Sequence, residues 1–172
     1  LTADDQMLDI PTNNFSTMNP LCNFSDGATL SEGNLKVTAA TGSNNDTTVP
    51  STMSVSSGKW YWEVLAVSSN FAIGIAEVEH DFFELAPGHS AIAWTYYSGN
   101  GNIYHDSSNS SYGATYTNGD IIGMALDLDA GTWVCYKNNV SQGTAASSLS
   151  GRFVATVSDL ASADNHVTIS NF

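Results

Sequence analysis

Apolar and polar residues alternate with a period of two through most of the chain, the spacing of a strand with one face in a core and one toward water. Lys59 to Leu65 carries Trp60, Tyr61, Trp62 and Val64 directly after the turn residues Ser57-Gly58 and predicts a strand. Phe71 to Ile75 predicts another, and the glycine inside it, Gly74, implies close approach by a neighbouring backbone or a bulky side chain. Ala91 to Tyr97 follows, and Gly99-Asn100-Gly101-Asn102 turns the chain into Ile103-Tyr104, which predicts a hairpin. The densest pattern begins after the Asn118-Gly119 turn. There Ile122, Met124, Leu126 and Leu128 share one face of a strand from Ile121 to Leu128. Asp129-Ala130-Gly131 reverses it, Thr132 to Lys137 runs back, and Asn138-Asn139 reverses it again. Phe153 to Val157 and Val167 to Phe172 predict two further strands.

Helical spacing is almost absent. Asp81 to Leu85 is the one candidate, a short turn stopped before Pro87. Strands every 8–12 residues with turn chemistry between them predict a sandwich or barrel. Within it, Trp60, Trp62, Trp94 and Trp133 occupy strand interiors and are assigned to the core. Residues 1–20, with Pro11 and Pro20 and little alternation, read as an arm or linker, and 21–172 as the folded unit. Ser43 to Thr48 reads as a polar loop.

Composition narrows the function. Of 172 residues only 12% are charged, about half the usual share, so Ser, Thr, Asn and Gly must supply the polar surface. Seventeen acidic residues stand against four basic ones, Lys36, Lys59, Lys137 and Arg152, for a formal charge of −13. Four scattered cations cannot build a groove for a phosphate backbone, which excludes nucleic acid as a partner, and an anionic membrane surface is disfavoured for the same reason. Neither an 18-residue apolar run nor a basic-then-apolar leader is visible. Cys22 and Cys135 are expected to be free thiols, Cys135 as a small core residue alternating with Trp133. A start at Leu1 and an end on Phe172, in a strand-like run, suggest a piece of a longer polypeptide.

The stretch Asn118-Gly119-Asp120 through Lys137-Asn138-Asn139 resembles the signature of the SPRY domain: a Gly-Asp turn, an apolar strand ending in Asp, a tight turn, and a strand closing on Lys-Asn. Gly58-Lys59-Trp60-Tyr61-Trp62-Glu63, Phe71-Ala72-Ile73-Gly74-Ile75-Ala76 and the terminal Val167 to Phe172 resemble further strands of that family, in the same order. Asn138-Asn139 replaces the usual Asn-Gly, and Cys135 stands where Phe is common. The resemblance implies an all-β fold, a single antiparallel β-sandwich of SPRY or concanavalin A-like type. Asp9 to Phe15, Met18 to Leu21 and Leu30 to Leu35 resemble the lead-in of SPRY-like domains in tail-fibre and other virion proteins of bacteriophages. That likeness implies a virion location, other virion subunits as partners, and a homo-oligomeric parent particle.

Candidate chemistry is sparse. Glu79, Asp81 and Glu84 fit the Glu-x-Asp-x-x-Glu pattern of laminarinase-like glycosidases, and alternate strand positions would bring Glu79 and Asp81 together for two-carboxylate hydrolysis. The family resemblance instead places them in a loop. Glu77, Glu79, His80, Asp81 and His89 lack the spacing of a metal motif, so no metal and no cofactor is expected. Asp127 and Asp129 read as acceptors for turn amides. His105 and Asp106 beside Ser107, Ser108, Ser110 and Ser111 have no nucleophile elbow. Tyr97, Asn100, Asn102, Tyr104 and Tyr112 flank the predicted hairpin and the Ser/Asn-rich loop after it. Tyrosine mixed with Asn and Ser suits a contact surface, giving rigid area and adaptable hydrogen bonds. These five are the candidate binding residues. The expected function is a non-catalytic virion module, a tail-fibre or receptor-binding domain touching a host glycan or protein. The alternatives are a capsid-decorating domain, a glycan-cleaving depolymerase domain and a cellular SPRY adaptor that binds a peptide, the last disfavoured by the virion-like lead-in.

Overall fold

The computed structural model describes residues 15–22, 28–38, 48–67, 71–82, 87–159 and 166–168. Its strands are β1 (Thr29–Ser31), β2 (Lys36–Thr38), β3 (Thr48–Val55), β4 (Lys59–Leu65), β5 (Phe71–Glu77), β6 (Ala93–Tyr97), β7 (Asn102–His105), β8 (Ser108–Ser111), β9 (Ile121–Asp127), β10 (Thr132–Lys137), β11 (Val140–Ser147), β12 (Phe153–Asp159) and β13 (His166–Thr168). The only helical piece among the described residues is a 3-10 turn at Pro87–His89, beyond the expected position; residues 83–86 of the candidate Asp81–Leu85 turn lie outside the described residues. No described helix is long and apolar enough to cross a membrane.

Antiparallel pairing gives a four-stranded sheet, β11-β10-β9-β4, and a six-stranded sheet, β3-β12-β5-β6-β7-β8, with a smaller β1-β2-β13 sheet beside them. The two large sheets form a β-sandwich, and period-2 alternation decides what lies between them. Val64, Ile122, Met124, Leu126, Trp133 and Cys135 enter the core from the four-stranded sheet. Phe71, Ile73, Ile75, Tyr96, Ile103, Phe153 and Val157 enter from the six-stranded one. Each such apolar side chain contributes roughly 1.5–3 kcal/mol by leaving water. Both cysteines are free, and Cys135 is buried, its thiol pKa pushed well up by that burial.

Several turns are built as expected. Asn138 and Asn139 have φ of 48° and 66°, both left-handed, the pair a type I′ turn requires. The Asp127 carboxylate accepts from the Asp129 and Ala130 amides, and Asp129 accepts from Gly58 N–H at 2.9 Å. Asp127 also meets Lys59 Nζ at 2.7 Å, so the β9–β10 turn and the β3–β4 turn are tied together.

Other expectations need correction. Leu128 lies past the end of β9, half-buried in the turn. The Ser/Asn-rich segment after the hairpin is not a loop but β8, paired with β7. Thr48 begins β3 rather than ending a loop. Of the tryptophans only Trp133 is fully buried; Trp62 and Trp94 pack half-buried against the core, and Trp60 is 44% exposed. The reading of 1–20 as a linker or edge-hugging arm is not among these corrections: residues 1–14 lie outside the described residues, and Met18 is buried and bridges Ser51 on the edge of β3.

Candidate functional site

The β6–β7 hairpin presents its side chains by register. Tyr96 pairs with Ile103 and Thr95 with Tyr104. Tyr96 and Ile103 fill the core, so alternation turns Tyr97, Asn102 and Tyr104 to the outer face of the six-stranded sheet. The turn is closed by Gly101 N–H donating to the Tyr97 carbonyl at 3.0 Å, with Gly101 at φ 74°. Asn100 then accepts from the Asn102 amide at 3.0 Å, an Asx turn.

Four of the five candidate residues meet here. Asn100 Nδ2 donates to the Tyr104 hydroxyl at 2.9 Å, and the Tyr97 and Tyr104 rings sit edge to face with centroids 5.9 Å apart. Asn109, opposite Tyr104 on β8, joins them by accepting from Asn102 Nδ2 at 2.9 Å. Sequence reasoning left Asn109 out of the set because β8 has no apolar alternation to mark it as a strand.

Tyr112 is elsewhere. Its ring packs edge-on against Tyr96 with centroids 5.1 Å apart, its hydroxyl donates to the Gly143 carbonyl at 2.6 Å, and the same oxygen accepts from Cys135 N–H at 3.0 Å. Burial pushes the Tyr112 hydroxyl pKa well above the usual tyrosine value. It ties β11 and β10 to the segment from Tyr112 to Tyr116, which Tyr96 and Lys137 hold as well by donating to the Ala114 and Thr115 carbonyls.

A second surface feature was not foreseen. An apolar cleft of about 190 Å³ opens between β3, β12 and β4, lined among others by Met53, Val55, Trp60, Trp62 and Phe153. Trp60 is held there by its indole N–H, which donates to the Ser57 carbonyl at 2.8 Å. Beside it Tyr61 is 54% exposed, and its hydroxyl, bonded to Glu63, has a pKa pushed up to about 12 by partial burial and by that carboxylate. The available signal was the position of Trp60, two residues past the tight turn at Gly58, where a strand has barely entered its sheet.

The remaining candidates disperse. Glu79 and Asp81 are exposed in the turn after β5, not at alternate positions of a strand, and Glu84 lies outside the described residues. His80 is buried against Phe82, ring centroids 4.7 Å apart. Among the described residues no three His, Cys, Asp or Glu side chains are placed to hold a metal ion. His105 stacks on Trp94 with centroids 4.3 Å apart, and its Nδ1 pairs with the Ala93 carbonyl at 2.9 Å.

Comparison with known proteins agrees with the β-sandwich fold. The model of the SPRY domain family matches residues 59–169. A Ran-binding proteins 9/10 homolog of Drosophila melanogaster is 32% identical over 106 residues, 59% of this chain and 11% of that protein, so the chain spans about a tenth of this relative's length. The crystal structure of the SPRY domain of human HERC1 superposes with a TM-score of 0.69 at 22% identity, covering 84% of this chain and 92% of that one. The TRIM65 PSpry domain gives 0.73 at 18% identity, over 91% and 92%.

Proposed function

The chain belongs to the SPRY domain family, and from that premise we propose that it is a non-catalytic binding module of a phage particle that touches the host surface through the outer face of β6, β7 and β8. One observation carries the reading: Tyr97, Asn100, Asn102 and Tyr104 fix one another through their own hydrogen bonds and ring contact. Preorganised contacts of this kind lower the ordering cost of binding. SPRY domains generally mediate interactions rather than reactions. The two described carboxylates of the glycosidase-like pattern, Glu79 and Asp81, lie exposed in a turn. The virion assignment is supported by the lead-in from Asp9 to Leu35 and its likeness to tail-fibre proteins.

A multimerised form of the domain tests this on host cells, because many copies convert weak single contacts into measurable retention. Wild type should bind, and Tyr104→Ala and Asn100→Ala should bind less. Equal binding by all three removes this face as the contact surface. The apolar cleft at Trp60 favours a second reading, a capsid-decorating domain that packs against other virion subunits. Absence of cell binding by every form, together with capture of the particle's own subunits lost in Trp60→Ala, would select it.

A further inference from the structure

Two glycines pack against the tyrosines of the hairpin face, Gly88 from the 3-10 turn that lies over Thr95 and Tyr104, and Gly99 from the hairpin turn. A Cβ at Gly88 would lie 2.8 Å from Tyr104 Cβ, and one at Gly99 would lie 2.8–2.9 Å from the Tyr97 ring. Neither glycine has a positive φ, so the backbone conformation does not demand them. They clear space in which Tyr97 and Tyr104 take their positions. The amides are equally committed: Asn100 holds the Tyr104 oxygen, and Asn102 holds the Asn109 oxygen.

What these bonds leave over defines a ligand. Tyr104 accepts from Asn100 and keeps its own proton to give; Asn102 gives one N–H to Asn109 and keeps the other together with its carbonyl oxygen; Asn109 keeps its amide hydrogens. Donor, acceptor and donor thus lie on neighbouring strands beside two fixed aromatic rings. Tyr97, Asn100, Asn102, Tyr104 and Asn109, the described residues named on this face, are all uncharged, in a chain of formal charge −13. Resting on the binding-module reading, we infer that the face takes a neutral saccharide. Each hydroxyl of a hexose both donates and accepts, which suits a mixed set of amides and a phenol, and the apolar C–H face of the ring packs on tyrosine. An anionic sugar or a charged peptide would require a counter-charge that none of these five described residues carries.

The test is saturation-transfer NMR and a glycan array probed with the multimerised chain. The panel holds neutral oligosaccharides of glucose, galactose, mannose and N-acetylhexosamines beside sulfated and sialylated ones. Retention on one or more neutral glycans is expected, unchanged between 50 and 300 mM NaCl on the order used for charge screening. Tyr104→Ala should weaken it roughly tenfold, the loss of one aromatic contact. Asn102→Ala, which leaves both tyrosines in place, should weaken it as well, and thermal melts would show that each variant is folded. Binding confined to anionic glycans and lost with salt overturns the inference. So does retention on host cells that survives removal of their glycans, an outcome in which the binding-module reading stands. Failure on cells and glycans alike removes both.

Discussion

Tyr112 and Tyr104 are both half-buried side chains, and what each hydroxyl meets separates their roles. The Tyr112 oxygen links the exposed Gly143 carbonyl to the part-buried Cys135 amide, and it is the amide, on a buried residue, that loses its partner when the hydroxyl is removed. Tyr104 takes its hydrogen bond from a surface amide that water can replace. Tyr112→Phe should therefore cost about 1–3 kcal/mol, the penalty of leaving a partly buried polar group unmet, and should leave ligand binding unchanged. Urea denaturation beside a cell-binding assay reads both quantities. Lost binding with unchanged stability would return Tyr112 to the contact surface. Single residues were legible where their constraint is local. Gly74 was expected to meet a neighbouring backbone, and a Cβ there would lie 2.1 Å from the Trp94 carbonyl oxygen. Trp60 was not legible, because period-2 spacing gives its face but not its distance from the end of the sheet. It shares the core face with Trp62 and Val64, opposite Leu126, yet lies at the mouth of the cleft.

At the scale of the element, position within a sheet decided which strands the sequence announced. β4, β5, β6, β9, β10 and β12 carry apolar alternation or continuous apolar runs because they must fill the space between the sheets. β1, β2, β3, β8 and β11 passed unnoticed, and all of these but β2 are edge strands; β4, an edge as well, was legible through its aromatic residues. An edge can be built from Ser, Thr, Gln and Gly, and β3 even holds Pro50, since only one side of its backbone must pair within the sheet. The candidate face inherits this blindness, for Asn109 sits on β8. Turns were more legible than edges, and the β9–β10 turn supplies a pH dependence. The Lys59 ammonium, then the Ala130 and Asp129 amides, hold the Asp127 carboxyl below its ordinary pKa. A depressed folded pKa means that its contribution is complete above the unfolded value near 4 and is lost as pH falls through the folded one. Asp127→Asn should thus unfold at lower urea than wild type at pH 7, and the two midpoints should converge by about pH 2. A gap that persists in acid would mean that the carboxylate charge is not what the turn uses.

Across the whole molecule, the formal charge of −13 sets a competition between many weak repulsions and few attractions. Two salt bridges exist among the described residues, Lys59–Asp127 at 2.7 Å and Lys137–Asp120 at 3.1 Å. Lys59–Asp127 is a surface pair, of the kind that contributes roughly 0–1 kcal/mol, while the Lys137 and Asp120 side chains are more enclosed. The remaining carboxylates have few cations to answer them, so their mutual repulsion destabilises the compact state more than the two pairs stabilise it. Salt screens both, over about 10 Å at 0.1 M. Because repulsion is the larger sum, screening should favour the folded chain. The thermal midpoint is therefore expected to rise by a few degrees between about 10 and 200 mM NaCl and to level off once the screening length falls below the spacing of surface charges. Chloride at these concentrations keeps ion-specific effects on apolar hydration small, so the change reports charge. Calorimetry at pH 7 reads it directly, and the same scan at pH 3, where most carboxylates are protonated, should show little response. A midpoint that falls with salt at pH 7 would mean that attractive pairs dominate, and that the acidic residues are partnered more completely than two bridges imply.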